Sequence, residues 1–198
     1  MKIIGVTGPT GSGKTLLTEY FSSIGITTIN ADELYHSMLI PPSLCLDAIR
    51  EKFGDAIFES NGMLNRQKLG EIVFNDEKKL VLLNETVLGI VLDEIRRQIA
   101  VLEKSETDFL IIDAPTLIES GFHRECDTVI SVIAPKDERI RRISVRDGIS
   151  VEKATERVRA QKDDDFYRLH SNEVIYNDST ESDFIIKIKN AAEKHLKN

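Results

Sequence analysis

The chain has 198 residues, with 26 Lys and Arg against 33 Asp and Glu, for a formal charge of −7. Its 41% hydrophobic and 30% charged residues describe a folded globular protein and exclude a disordered chain. A chain of this length buries about 70% of the surface it would expose unfolded, so no disulfide or structural metal is needed. The acidic balance excludes a nucleic-acid coat, because duplex binding needs a basic surface that releases counterions. It leaves open a local cluster of Lys and Arg around a small anion. Cys45 and Cys126 lie far apart, form no metal-ligand pair, and read as buried free thiols. The opening apolar run is too short for a signal peptide and no later run is long enough for a membrane span, so a cytoplasmic protein is expected.

In chain order, Ile3–Thr7 is a short β-branched run ending at glycine and reads as a buried strand. Residues 14–24 carry helical spacing at Leu17, Tyr20, Phe21 and Ile24, and Gly25 stops the helix. Residues 26–30 form a second short strand. Residues 44–53, 66–74 and 77–104 are helical, the last with Leu80, Leu83, Val87, Val91, Ile95 and Leu102 at spacings of three, four and seven. Residues 109–112 and 128–134 are two further strands. A charge-dense segment follows from Lys136 to Arg168, then an amphipathic stretch from about Ser182 to Leu196. Short apolar strands separated by helices predict an α/β fold with a parallel sheet covered on both faces, carrying one helical insertion.

Residues 8–15, Gly-Pro-Thr-Gly-Ser-Gly-Lys-Thr, satisfy the phosphate-loop pattern with a strand leading in and a helix leading out. The glycines let successive N–H groups turn inward as an anion nest, and the helix N-terminus adds positive potential at the same point. In such a loop Gly8, Gly11, Ser12, Gly13, Lys14, Thr15 and Leu16 surround a nucleotide's phosphates. Lys14 reaches the β- and γ-phosphates and Thr15 ligates Mg²⁺. A nucleoside triphosphate and Mg²⁺ are therefore expected.

A guanine-reading Asn-Lys-x-Asp is absent, and the third strand ends in Asp113-Ala-Pro-Thr116 without the glycine of a GTPase switch. A small-molecule kinase needs a group to receive the acceptor proton and arginines over the transferring phosphoryl. Asp32 follows the second strand, where it is either such a base or the N-cap of the next helix. Asp113 ends the third strand, either as a carboxylate near Mg²⁺ or as a turn residue before Pro115. Arg139, Arg142 and Arg146 share a helix face, and Arg157 and Gln161 repeat the four-residue spacing. The cluster reads as a lid over phosphates, although each arginine singly also fits a solvated face paired with Asp137, Glu138 or Glu156. The four histidines have no ligand spacing, and Asp163–Asp165 reads as a solvated acidic run.

These residues resemble the dephospho-coenzyme A kinase family along nearly the whole chain. The resemblance rests on TGPTGSGKT at 7–15, INADELYH at 29–36, EKFGDAIFESNGMLNRQKLGEIVFND at 51–76 and DAPTLIESG at 113–121. It continues through RRISVRDGIS at 141–150, RVRAQ at 157–161 and VIYN at 174–177. It implies an adenylate-kinase-like P-loop NTPase fold, a three-layer sandwich with a helical substrate-binding insertion and a helical lid. Residues 1–32, 107–135 and 171–198 would form the nucleotide-binding core, 33–106 the acceptor domain and 136–170 the lid. The implied reaction is ATP-dependent phosphorylation of the ribose 3′-hydroxyl of dephospho-CoA, the last step of coenzyme A biosynthesis. Asp32 would be the base, Arg141 or Arg142 the lid arginine, and Asn177 part of a loop approaching adenine.

The chain departs from the family pattern at Asn30, usually aspartate, within residues 115–119, and after Asn84, where His-Pro is usual. The expected partner is the small-molecule substrate, with no nucleic acid or membrane, in a monomer or weak homo-oligomer. The alternatives are another small-molecule P-loop kinase of nucleoside or nucleotide type, or an ATP-binding regulator without catalysis.

Overall fold

The computed structural model describes residues 1–105 and 107–196. Five strands form one sheet: β1 (Lys2–Thr7), β2 (Thr27–Asn30), β3 (Phe109–Asp113), β4 (Thr128–Ile133) and β5 (Glu173–Tyr176). Their spatial order is β2-β3-β1-β4-β5, and the β1–β3, β1–β4 and β4–β5 pairs are parallel. Central strands in such a sheet have both faces covered, which is why β4 is buried at all six positions. The predicted α/β fold, a sheet with one helical insertion, is the one observed.

Nine α-helices accompany the strands among the described residues: α1 (Lys14–Ser23), α2 (Ala31–Ser37), α3 (Leu44–Phe53), α4 (Arg66–Phe74), α5 (Glu77–Leu102), α6 (Lys136–Asp147), α7 (Val151–Arg159), α8 (Asp164–Leu169) and α9 (Glu181–Leu196). The chain divides into two compact units, one of residues 1–29 and 106–198 and one of residues 30–105.

In the first unit α1 and α9 cover one face of the sheet. Leu17 and Phe21 of α1 and Phe184 and Ile188 of α9 pack with Ile4, Val6, Ile111, Ile130 and Val132. Tyr167 of α8 packs with Ile118 and Ile133 in a separate cluster, while α6 and α7 join through Ile143, Ala154 and Val158. The predicted boundaries move by a residue or two at most, and β5 is the strand that sequence patterning missed. β5 holds only the three apolar residues Val174, Ile175 and Tyr176, with Ile175 alone fully buried, a run too short to stand out along the chain.

The second unit is helical, with an isolated bridge between Phe58 and Leu64 among its described residues. Leu39, Leu46, Ile49, Ile57, Leu69 and Val73 form its core, joined by Leu80, Leu83, Val87 and Ile90 of α5. Its four helices begin at side chains suited to the role: Asn30, Ser43, Asn65 and Asp76 each accept a hydrogen bond from a backbone N–H of the first turn. Cys45 is buried here, whereas Cys126, in the first unit, is half-buried, and both thiols are free. Burial, with Glu125 and Asp127 nearby, pushes the Cys126 thiol up to about 12. No helix among the described residues is long and apolar enough to cross a membrane.

Candidate active site

The loop between β1 and α1 is built on three glycines at positive φ: Gly8 at 139°, Gly11 at 76° and Gly13 at 103°. Gly8 is required on two counts. Its φ belongs to glycine, and a Cβ there would lie 2.2 Å from the Val132 carbonyl oxygen of β4. At Gly11 a Cβ would meet the Arg139 carbonyl oxygen at 2.9 Å, so the loop lies directly on the backbone of α6.

Gly13 is the N-cap of α1, and no side chain caps this helix. Its first turn also has no acidic residue. An uncapped N-terminus leaves backbone N–H groups and a partial positive charge available to an anion. Ser12 Oγ is buried without a hydrogen-bond partner among the described residues. Such an oxygen inside an anion nest fits a bound phosphate. Lys14 Nζ donates to the Gly8 carbonyl across the loop at 3.0 Å. Thr15 is exposed in the first turn of α1, and Leu16 packs at the edge of the sheet core.

Two predicted residues meet at the far side of the loop. The Asn177 amide donates to the Ser12 carbonyl at 2.8 Å, and Asn177 is itself 93% shielded from solvent (7% exposed). Arg142 extends its guanidinium toward the Gly11 and Ser12 carbonyls at 3.3 and 3.4 Å and toward Asn177 Oδ1 at 3.4 Å. Helix α6 thus brings Arg142 to the loop. Arg141, one residue earlier and 100° around the helix, pairs with Glu138 at 3.0 Å with 65% of its side chain exposed. Sequence spacing had left these two arginines equivalent. Arg146 and Arg157 do not converge on the loop either: both bind Asp147.

Arg139 is buried, which a charged helix face does not suggest. Its Nε donates to the Thr10 carbonyl at 3.0 Å and its Nη2 to Gln161 Oε1 at 2.6 Å. Burial pushes the guanidinium down from its ordinary value, opposed by Asp164 and Tyr167. Tyr167 is pushed up to about 12 by burial, with Glu119 adding to the effect. The acidic run divides its work: Asp163 caps α8 by accepting from the Phe166 N–H at 2.9 Å, and Asp165 pairs with Arg168. It is therefore more than the solvated stretch its composition predicts.

Asp113 is buried at the carboxyl end of β3, opposite Val6 of β1 in register, close in sequence to where the loop begins. In the helical unit Asn30 is the N-cap of α2, so the capping alternative for Asp32 is not the one the structure takes. Asn30 Oδ1 accepts from the Asp32 N–H at 3.0 Å and the Glu33 N–H at 3.1 Å. Asp32 is exposed, and its carboxylate has no hydrogen-bond or ion-pair partner among the described residues. Among those residues no group of three or more His, Cys, Asp and Glu side chains is arranged to hold a metal ion.

The family model for dephospho-CoA kinase matches residues 2–183. A dephospho-CoA kinase of Carboxydothermus hydrogenoformans is 34% identical over 161 residues, covering 81% of this chain and 78% of that relative. Among solved structures, one from Thermus thermophilus matches with a TM-score of 0.81 and 27% identity, over 98% of this chain and 97% of the other. A dephospho-CoA kinase from Campylobacter jejuni matches with a TM-score of 0.75 and 28% identity, over 100% and 98%. With a phosphate loop in place and a family match spanning nearly all of its length, the chain belongs to the dephospho-CoA kinase family.

Proposed function

We propose that this protein transfers the γ-phosphoryl group of ATP to the ribose 3′-hydroxyl of dephospho-CoA, releasing ADP and coenzyme A. The observation that carries the reading is the loop itself. Its helix is uncapped, its Ser12 hydroxyl is buried and unsatisfied, and Arg142 and Asn177 converge on its carbonyls. In the transfer, the acceptor oxygen bonds to the γ-phosphorus as the bond to the β-bridging oxygen breaks. Asp32 takes the hydroxyl proton, a role supported by the family motif and by a carboxylate that Asn30 relieves of capping.

Backbone N–H groups of the loop and Lys14 hold the β- and γ-phosphates, and Arg142 turns from the loop carbonyls to the transferring group. Arg141, paired outward with Glu138, is the weaker candidate for that role. Asn177 keeps the loop's Ser12 carbonyl and Arg142 in register. Thr15 and Asp113 have the hydroxyl and carboxylate oxygens that suit Mg²⁺. When bound, that ion neutralises charge on the phosphates. Residues 33–106 serve the acceptor, and the helices of 136–170 supply the arginines.

The test is ADP release with dephospho-CoA, run against AMP, uridine and shikimate as rival acceptors. Turnover with dephospho-CoA alone is expected; turnover with a rival and none with dephospho-CoA would sink the assignment. Asp32→Asn should lower turnover by at least about 10²-fold while ATP still binds, and an unchanged rate would remove Asp32 from the chemistry.

A further inference from the structure

Both backbone polar groups of Thr10, at the turn of the phosphate loop, are held by side chains from distant segments. The Thr10 carbonyl accepts from Arg139 Nε at 3.0 Å. The Thr10 N–H donates to Gln161 Oε1 at 3.1 Å, and the same oxygen accepts from Arg139 Nη2 at 2.6 Å. The three residues close a ring in which one glutamine oxygen serves a loop amide and a buried guanidinium together. Arg139 is 1% exposed, so the guanidinium side of the ring is shielded from competing water, while Thr10 and Gln161 are half-buried.

The ring solves a problem particular to this loop. A nest of inward N–H groups needs its flanking amides fixed, and Gly11 and Gly13 give the backbone freedom to leave that shape. Gln161 follows the last turn of α7, and α7 packs on α6 through Ala154, Val158 and Ile143. The α6–α7 pair therefore presents Arg139 and Gln161 as one rigid jaw.

We propose that Gln161, together with Arg139, is a positioning residue that presets the phosphate loop for nucleotide binding. This rests on the reading that the loop takes ATP. Only the oxygen of the glutamine side chain enters the ring, so a carboxylate of the same length can replace it and an isosteric alkyl group cannot. A lost acceptor leaves the Thr10 amide unsatisfied and the loop free to sample other shapes. The penalty falls on ATP binding more than on the chemical step.

The experiment compares Gln161→Leu with Gln161→Glu, measuring ATP Kd by calorimetry and KM for ATP and kcat with dephospho-CoA. Gln161→Leu should raise Kd and KM for ATP roughly tenfold with kcat changed less than about threefold. Gln161→Glu should recover most of the binding. An ATP Kd within twofold of wild type in Gln161→Leu, or equal impairment in both variants, overturns the proposal. Amide hydrogen exchange on the unmodified protein is the second measurement, needed if Gln161→Leu does not fold. The Thr10 amide should be protected, and exchange at the rate of a solvent-exposed loop amide overturns the clamp as well. Wild-type protein that binds ATP without turning over dephospho-CoA would defeat the acceptor assignment instead, leaving the binding and exchange results to judge the clamp.

Discussion

Replacing Gly8 by alanine tests how tightly the phosphate loop is fitted to the sheet. The added Cβ would stand 2.2 Å from the Val132 carbonyl oxygen and 3.1 Å from the Val132 N and C atoms. Those neighbours are backbone of a fully buried strand, so no side chain can swing aside. An unstrained C···O contact is about 3.3 Å, so β1 and β4 must part by about 1 Å near the Thr7–Ser131 pair. Alanine at φ 139° costs about 1–3 kcal/mol in backbone strain. Loosening one or two ladder hydrogen bonds adds about 1 kcal/mol each. The sum is about 2–5 kcal/mol, which for a chain this size lowers Tm by roughly 4–20 °C. The Gly8 carbonyl also receives Lys14 Nζ, so its displacement should weaken ATP binding as well. Thermal unfolding and ATP calorimetry on the variant check both consequences. A Tm within about 2 °C of wild type, together with unchanged ATP affinity, would refute the packing argument.

Other outcomes follow from the same structure. Arg142→Ala should lower kcat/KM by about 10² or more while Arg141→Ala stays within a few-fold, since of these two it is Arg142 that reaches the loop; equal losses in steady-state kinetics would contradict that. Burial pushes the Glu173 carboxyl up, but hydrogen bonds from Lys194 and His195 outweigh it and hold the group below its ordinary value. Its folded value is depressed, so its contribution is present above the ordinary carboxylate value, about 4.3, and fades as pH falls through the lower folded value. The Tm advantage of wild type over Glu173→Gln should therefore shrink on acidification, and a pH-independent difference would count against it. Gly89 is exposed within α5, with open space where a Cβ would go. Gly89→Ala should stabilise by about 0.5–1 kcal/mol in urea unfolding, and a lower midpoint would be the contrary result.

Much of this arrangement was legible along the chain. The bounds of α3 and α4 match the apolar periodicity, because an amphipathic helix announces its buried face every three or four residues. The phosphate loop was equally plain, since its glycines and Lys14-Thr15 are local requirements of one turn. Asn30 shows where a motif misleads: the carboxylate usual in the family is absent there, yet its amide oxygen performs the capping and leaves Asp32 exposed. Strand β5 escaped notice because an edge strand with one fully buried side chain carries no periodic signal.

The sequence by itself determined the fold class, the helical insertion, the loop and its expected anion, because these depend on neighbours within a few residues. Only the tertiary structure separated Arg142 from Arg141, buried Arg139 behind the loop, and set Gln161 and Asn177 on its backbone. These contacts join residues more than 120 positions apart in the chain. Spacing along a helix decides which residues share a face. What that face meets is decided by how the helix packs on the sheet.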